Sequence, residues 1–520
     1  MNTVNEDRPP RLWWGMWKRF LVAAVAIVAL SAGATATIAQ NEVDQLAEEV
    51  LPASSHINAP KGLVTPEYSG GPETFLILGS DRREHSKDIY DKSDPAHSDT
   101  ILLVRFDPGQ GQTSVLSIPR DLLVNIHLAN GTVYEHEKIN AAYTYGYKAG
   151  GTRGAMLAAA ETIKKEVFPE LTLNAIVDVN FRGFIQVVDT LGCVYVNVDH
   201  HYYNLNVGTT ETDYTSINLY PGYQKLCYEN ALNYVRYRHT DSDFVRVARQ
   251  QDFIRNLREQ VSAKSLEDIL GQIHSVAKAV GKAIKSTVAR EGPELVKLAK
   301  LIVFSQSKPL RQVKFLTSSV NAQIAGGSYV TSSAELESKT LNTFLHGHEE
   351  LEVPSAPAKP AHHHGKHSSS HAAAPAHPFG LYPTTQAGEN EAVKASTNLP
   401  FKVLYPTLQT GAAQQQEVRS YVLPDQSKRK HSAYVVVWQD NTIGGYYDFE
   451  GTNWLNPPLF AHSHSRLING RRYLLVNDGS HIHVIGWRSG KVLYWVTNTL
   501  LEDLTNQQML AIARSARGLH

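Results

Sequence analysis

Apolar segments of strand length alternate with helix-spaced segments along the first half of the chain, from about residue 72 onward. FLILGS, TILLVRF, TSVLSIP, NAIVDV and VYVNVD predict strands, and TRGAMLAAAETIKKEV predicts a helix. Between residues 260 and 304, apolar positions recur at helical spacing among lysines, which predicts helices that close the sheet before a last strand, VKFLTSS. This alternation indicates an α/β layered domain, which we place at residues 72–320.

The pattern changes twice in the second half. Residues 351–395 are rich in Pro, Ala, Ser and His, which indicates a linker. Its histidines either bind a transition metal or belong to a solvated tract, and we favour the tract. Residues 396–520 contain short β-rich runs and end in the amphipathic helix TNQQMLAIARSARGL, with Thr505 or Asn506 as N-cap. They predict a smaller β-rich α+β domain.

The aromatic residues of this C-terminal domain allow two interpretations. Rings exposed on strands stack on sugars, whereas rings buried between strands form a core, and we favour the core because strand aromatics more often lie there. The residues concerned are Tyr446, Tyr447, Trp454, Tyr494 and Trp495.

An uncharged run from Phe20 to Ala39 precedes both domains. At about 1.5 Å per residue it reaches roughly 30 Å, the thickness of a hydrocarbon core. The basic residues and tryptophans of RPPRLWWGMWKR place residues 1–19 in the cytoplasm and residues 40–71, a spacer, outside the cell. A cleaved signal peptide is the alternative. We favour an uncleaved, single-pass anchor in the cell membrane because the run is long and shows no sharp cleavage site.

The net charge, the cysteines and the absent motifs argue against several classes of function. The 50 Lys and Arg residues balance the 50 Asp and Glu residues, so we expect no nucleic-acid partner and only a local phosphate site. The two cysteines, Cys193 and Cys227, are not spaced for a zinc or redox site. The sequence has no Walker loop, GxSxG elbow or HExxH motif, the usual signs of nucleotide hydrolysis, acyl transfer and zinc proteolysis.

Charged residues emerge at three successive strand ends. Asp81 and Arg83 follow the first strand, Asp99 stands at the mouth of the second, and Arg120 with Asp121 follows the third. One such residue alone would be an ordinary capping or solvated residue, but their recurrence predicts a shared cleft. Carboxylates such as Asp81 and Asp99 are hard oxygen ligands suited to Mg²⁺.

The stretch YVRYRHTDSDFVRVARQQ concentrates four arginines. Four of its residues share one face of a predicted helix, and two earlier ones align on an extended segment: Asp243, Arg246, Arg249 and Gln250, then Arg236 and Arg238. Converging guanidiniums suit a diphosphate. An arginine clamp beside a hydrated metal is the equipment of phosphoryl transfer.

The motifs GSDRR, SDT, SIPRD, KINAAYTYG, DVNFRGFIQVVDTLGCVYVNV, ALNYVRYRH and RVARQQ, in this order over roughly residues 72 to 260, resemble the LytR-CpsA-Psr family of bacterial cell-envelope proteins. The resemblance implies a three-layer α/β/α domain outside the cell, a hydrophobic channel for a polyprenyl chain, and an arginine-rich cleft that holds its diphosphate with Mg²⁺. The implied activity is transfer of a glycopolymer phosphate from a polyprenyl diphosphate carrier to a hydroxyl of peptidoglycan.

The resemblance also implies roles for individual residues. Asp81 and Asp99 would hold the metal. The diphosphate would be bound by Arg83, Arg120, Arg236, Arg238, Arg246 and Gln250, with Arg249 as a further candidate. We expect Asp81, Asp99, Arg120 and Arg246 to be catalytic.

Two positions depart from the family pattern. His97 stands where the family commonly has arginine, so the charge available there for phosphate depends on pH. Cys193 stands where the family usually has a second glycine, and Cys227 precedes the ALNYVRYRH helix. Either the two cysteines form a disulfide, which we expect outside the cell, or they are buried free thiols.

The leading hypothesis is a membrane-anchored, Mg²⁺-dependent glycopolymer transferase. The acceptor hydroxyl would attack the sugar-proximal phosphorus in line, with Asp121 and Asp243 as candidate bases. Two alternatives use the same site: a polyprenyl diphosphate hydrolase, and a non-catalytic envelope regulator that binds lipid-linked glycan.

Overall fold

The computed structural model describes residues 55–65, 70–81, 96–205, 216–237, 243–262, 284–288, 310–347, 378–442 and 444–519. The chain divides into two compact units, one drawn from Met1–Val194 with Leu226–Glu349 and the other from Tyr195–Lys225 with Glu350–His520. The second unit thus includes a segment from inside the predicted 72–320 domain. No helix within the described ranges is long and apolar enough to cross a membrane. The predicted span at residues 20–39 and the histidine-rich tract lie outside those ranges.

Strands and helices alternate up to residue 346, as the sequence predicts. The strands are β1 (Glu73–Ser80), β2 (Ser98–Asp107), β3 (Gln112–Ser117), β4 (Leu123–His127), β5 (Val133–Lys138), β6 (Ala175–Asn180), β7 (Val194–Val198), β8 (Tyr202–Asn204), β9 (Ile217–Leu219), β10 (Gly222–Leu226), β11 (Ile284–Ser286), β12 (Leu310–Val313), β13 (Ser319–Ile324) and β14 (Gly327–Thr331). The helices are α1 (Ala141–Thr162), α2 (Phe181–Thr190), α3 (Tyr228–Arg236), α4 (Asp243–Ser262) and α5 (Ala334–His346).

A mixed six-stranded sheet in the order β11-β6-β1-β2-β3-β12 organises the first unit. β1 is parallel to β6 and antiparallel to β2, and β12 is parallel to β3. β1 is almost continuously buried because it has a neighbour on each side in the centre of the sheet. The apolar residues of α1 and α5, such as Met156 and Phe344, join Leu76 and Leu103 of the sheet in one core. The α/β class predicted for this region is confirmed.

Two predicted elements of the first unit are wrong. Ile284–Ser286 lies in the region predicted to be helical, but it forms β11 and pairs with β6. This three-residue strand forms by pairing with the edge of β6, which is distant in the sequence. Local helical spacing does not predict such pairing. The strand predicted for VKFLTSS lies earlier, at Leu310–Val313, where it pairs with β3.

The second unit contains a seven-stranded antiparallel sheet in the order β18-β19-β20-β24-β23-β22-β21. The remaining strands are β15 (Leu381–Pro383), β16 (Leu404–Tyr405), β17 (Leu408–Thr410), β18 (Ala413–Pro424), β19 (Lys430–Asp440), β20 (Gly445–Thr452), β21 (His464–Ile468), β22 (Arg471–Asp478), β23 (His481–Ser489), β24 (Val492–Thr497) and β25 (Arg517–Gly518). The helices are α6 (Gln386–Ser396) and α7 (Asn506–Ser515). Thr505 caps α7, as one of the two predicted N-caps.

The aromatic residues of the second unit form its core. Tyr447, Trp454, Tyr494 and Trp495 are buried, and Tyr446 stacks on His200 with 4.2 Å between ring centroids. The core interpretation is therefore confirmed for the four buried rings, which have no face open to a sugar.

Residues 195–225 join the second unit through buried polar contacts. The side-chain amide of Asn197 donates to Oδ2 of Asp448 at 2.8 Å, and the backbone N–H of Tyr223 donates to Oε2 of Glu450 at 3.1 Å. Both carboxylates are fully buried on β20.

Candidate active site

A β-bulge at the start of β2 positions Asp99. Gly79 pairs with Thr100, whereas the next residue, Ser80, pairs with Ser98, so Asp99 is an extra residue in its strand. A bulge bends the strand and re-aims the side chain of the extra residue. Position 79 requires glycine, because a Cβ there would lie 2.9 Å from the Cβ of its cross-strand partner, Thr100.

Two backbone hydrogen bonds fix Asp81 beside the bulge. The N–H of Asp81 donates to the carbonyl of His97 at 3.1 Å, and the N–H of His97 donates to Oδ1 of Asp81 at 2.6 Å. His97, which replaces the arginine common in the family, thus orients Asp81 through its backbone.

Arg120 follows β3 and contacts the Asp99 carboxylate. Its Nη1 donates to Oδ1 of Asp99 at 2.6 Å, and its Nε lies 3.5 Å from Oδ2 of Asp121. The other oxygen of Asp121 lies 2.8 Å from Nζ of Lys138. Asp121, a candidate base, is therefore held between two cations, and these contacts suit an orienting role for it toward Arg120.

One face of α4 contacts the end of β2. Arg246 is 3% exposed, and its Nη2 donates to the backbone carbonyl of Asp99 at 3.5 Å. One turn later, Oε1 of Gln250 accepts a hydrogen bond from the Thr100 hydroxyl at 3.2 Å, while its Nε2 donates to the carbonyl of Val235 at 3.1 Å. The predicted pairing of Arg246 and Gln250 on one helical face is observed.

The electrostatics of the site favour an ionised Asp99. Burial alone would raise the pKa of its carboxyl, but the guanidiniums of Arg120 and then Arg246 outweigh burial and hold that pKa below its usual value. A carboxylate that stays ionised beside two arginines is typical of a functional site.

Arg249 is directed elsewhere. Its side chain is fully buried, and its Nη1 donates to the carbonyl of Tyr237 at 2.8 Å and lies 3.4 Å from that of Tyr234. A cation at these carbonyls stabilises the C-terminal end of α3. These contacts place Arg249 at the α3–α4 junction, and its candidate role in substrate binding stays a prediction.

Arg236 also differs from its predicted setting. It is the last residue of α3 and does not lie on an extended segment. Its guanidinium carbon lies 4.0 Å from the ring centroid of Phe181, the first residue of α2. This cation–π contact orients Arg236. Phe181 had no predicted role, although its position directly after β6 matches that of the charged residues at the other strand ends.

Cys193 and Cys227 form a disulfide with Cα atoms 4.7 Å apart, which confirms the predicted pairing. Cys193 has φ +67°, a left-handed conformation that favours the glycine expected at this position. Cys227 is the N-cap residue of α3, so the bond ties the start of the helix that carries Arg236 to the turn after α2.

Several predicted residues lie outside the described part of the structure: Arg83, Arg238 and the side chain of Asp243. The remaining candidates contribute two carboxylates, Asp81 and Asp99, to the ends of paired strands. Ionised carboxylates are ligands that Mg²⁺ accepts in ones and twos while it keeps several waters, so this donor set fits the ion. Thr100, which contacts Gln250, is a site residue that the sequence did not single out, although it stands in the SDT motif.

The first unit is a mixed α/β sheet domain with carboxylates and arginines at its strand ends. The chain belongs to the LytR_cpsA_psr family, whose model matches residues 34–345. It is similar to an uncharacterized protein of Staphylococcus aureus, with 30% identity over 48% of this chain and 55% of that protein, so it spans about half the length of that relative.

Two other matches carry names. The polyisoprenyl-teichoic acid–peptidoglycan teichoic acid transferase TagT of Bacillus subtilis is 28% identical over 49% of this chain and 72% of its own length. The crystal structure of B. subtilis TagV aligns with 54% of this chain and 98% of that chain at 23% identity and a TM-score of 0.40.

Proposed function

We propose that the protein is a membrane-anchored, extracellular phosphotransferase that moves a glycopolymer phosphate from a polyprenyl diphosphate carrier to a hydroxyl of peptidoglycan. The observation that carries this proposal is the ionised Asp99, displaced by a bulge into contact with Arg120 and Arg246. Family membership and the printed names of relatives such as TagT support the same reaction class.

The arginines supply the binding chemistry. Arg120 and Arg246 would exchange their contacts with Asp99 for the oxygens of the diphosphate, since guanidiniums bind phosphate with paired hydrogen bonds. Arg236, held over Phe181, would bind a further oxygen. Their charge then favours the transition state by stabilising the negative charge on the transferred group and on the leaving polyprenyl phosphate.

We further propose that Asp81 and Asp99 hold Mg²⁺. When bound, the ion would neutralise charge on the diphosphate. The hydrogen bond from the His97 N–H to Oδ1 of Asp81, with that from the Asp81 N–H to the His97 carbonyl, orients the first carboxylate beside the start of β2.

The test is a transfer assay with the full-length protein in detergent, a lipid diphosphate oligosaccharide, purified peptidoglycan and Mg²⁺. Glycan joined to peptidoglycan supports transfer. Free glycan phosphate released to water would instead identify a hydrolase, and tight binding without turnover would identify a regulator. Arg246→Ala should abolish product, whereas Arg153→Ala, which removes an exposed arginine of α1, should not.

A further inference from the structure

Two tyrosines from different elements build one aromatic surface in the first unit. The rings of Tyr134 on β5 and Tyr145 on α1 are parallel, with centroids 4.2 Å apart and planes inclined by 12°. The Tyr145 hydroxyl donates to Oε1 of Glu137 at 2.8 Å, and Nζ of Lys148 lies 5.9 Å from the Tyr145 centroid. Burial and then the bond to Glu137 raise the pKa of Tyr145 to about 12, so its hydroxyl remains a donor at neutral pH.

This surface is open to solvent. Tyr134 is 38% exposed, and β5 is exposed from Val133 to His136. The stacking and the hydrogen bond from Tyr145 to Glu137 hold both rings in place, so the pair presents a fixed aromatic surface with a polar edge.

The tyrosines lie on the side of β5 that leads to the candidate active site. Lys138, the last residue of β5, contacts Asp121 through Nζ, and Asp121 contacts Arg120. Tyr134 precedes Lys138 by four residues, a span of at most about 14 Å along the chain. A ligand that reaches the reacting phosphorus from this side would pass along β5 and over the tyrosines.

We infer that Tyr134 and Tyr145 form a binding subsite for a sugar ring of the peptidoglycan acceptor, an inference that rests on the proposed function. The C–H face of a pyranose packs on an aromatic ring, and the Glu137 carboxylate beside it accepts hydrogen bonds from hydroxyl or amide groups.

Charge favours the acceptor over the donor as occupant. Glu137 accepts the hydrogen bond of the Tyr145 hydroxyl and Glu135 lies on the same strand, while Lys138 is paired with Asp121. Two carboxylates thus stand against one remaining cation, Lys148, and this excess disfavours a polyanionic donor polymer, whose phosphates the arginines of the site attract. Uncharged amino sugars of a glycan strand meet no such repulsion. The subsite therefore separates acceptor from donor along the same cleft.

The experiment measures both substrates with the full-length protein in detergent. Tyr134→Ala should raise the KM for peptidoglycan about five- to tenfold, the loss expected from one stacked ring, and leave the KM for the lipid diphosphate oligosaccharide unchanged. Co-sedimentation with purified peptidoglycan, without donor, should weaken by a similar factor. Tyr134→Trp keeps an aromatic face and should retain both properties.

Val133→Ala is the matched control, because Val133 is an exposed neighbour on the opposite face of the same strand. If Tyr134→Ala matches Val133→Ala in acceptor KM and sedimentation, or if it raises the donor KM instead, the subsite assignment is wrong. A parent protein that sediments with peptidoglycan through Tyr134 but never transfers glycan would overturn the proposed function and leave the subsite standing.

Discussion

Nη1 of Arg120 lies 2.6 Å from Oδ1 of Asp99, the one residue that a bulge displaces from the pairing of β1 and β2. The contact joins the end of β3 to the start of β2, which lie side by side because the two strands are neighbours in the sheet. Arg246 reaches the same residue from α4 through the backbone carbonyl. Arg120, which follows β3, thus contacts the carboxylate of Asp99, and Arg246 of α4 contacts its backbone carbonyl. Under the proposed function, a diphosphate would replace these contacts.

Arg120→Lys should lower turnover by roughly ten- to a hundredfold while leaving the fold intact. Lysine keeps the positive charge but offers a point charge in place of the planar fork that binds phosphate at two atoms. Steady-state transfer assays with saturating donor and acceptor measure the loss. The exposed Arg153→Lys provides the control for a generic arginine replacement, and equal turnover in the two variants would argue against contact between Arg120 and the reacting phosphate.

Arg246 and Arg249 stand three residues apart on α4, and their roles should separate. Arg249→Met removes a buried cation that binds the C-terminal carbonyls of α3, so we expect a stability loss of about 2–4 kcal/mol in urea unfolding. Activity per folded molecule should fall less than about threefold, because Nη1 of Arg249 donates to the carbonyls of Tyr234 and Tyr237 at the end of α3.

Arg246→Met should show the converse, with turnover lost even in correctly folded molecules, because it removes the cation that donates to the Asp99 carbonyl and lowers the pKa of the Asp99 carboxyl. Circular dichroism and urea titration of both variants decide the matter. A pair of variants that lose activity equally at equal folded fraction would return Arg249 to the diphosphate clamp.

The sequence predicted the residue types at these strand ends better than their arrangement. GSDRR and SIPRD place charge directly after an apolar run and SDT places it directly before one, and this pattern predicts the site. The bulge at Asp99 was not predictable, because it depends on the register between β1 and β2 and not on either strand alone. The burial of Arg249 was not predictable either, since it depends on how the end of α3 meets α4.

In the second unit too, local elements could be predicted from the sequence and distant contacts could not. Short β-rich runs predicted its strands, and the aromatic residues are buried in its core as predicted. The predicted linker, residues 351–395, is too long, because β15 and α6 begin within it and bury Leu381 and Ala392. The sequence did not show that residues 195–225 join this unit, because the contacts of Asn197 and Tyr223 with β20 span more than 200 positions. Local patterns do not carry such distant pairings.

The Cys193–Cys227 disulfide should contribute about 2–4 kcal/mol to stability, because it closes a loop with a sequence separation of 34. The double variant Cys193→Ala/Cys227→Ala should therefore unfold at lower urea concentration than the parent, and a reducing agent should shift the parent toward the variant. Reductant that leaves the parent's midpoint unchanged, while mass spectrometry shows both thiols free, would contradict the prediction. Since Cys227 is the N-cap residue of α3, transfer activity should also fall when the bond is lost.

Glu450 makes the second unit's stability depend on pH. Burial raises the pKa of its carboxyl to about 7. The hydrogen bonds from the Tyr421 hydroxyl and the Tyr223 backbone, and the charge of Arg419, oppose this rise without cancelling it. Burial and the charge of Glu450 also raise the pKa of the neighbouring Asp448. The folded state therefore holds a proton that the unfolded state releases above its ordinary carboxyl pKa of 4.5. Stability is complete below that value and is lost as pH rises through about 7.

Glu450→Gln keeps a carbonyl oxygen for the Tyr223 N–H and removes the charge, so it should flatten this pH dependence and raise stability at pH 8 by on the order of 2–3 kcal/mol. Urea unfolding followed by tryptophan fluorescence between pH 5 and 8 reports chiefly this unit, because four of the seven tryptophans, Trp438, Trp454, Trp487 and Trp495, lie in it. Glu391→Gln removes a carboxyl of α6 from the same unit and serves as the control. A variant that loses stability at pH 8 relative to that control would show that Glu450 is ionised in the folded protein and that its charge is satisfied there.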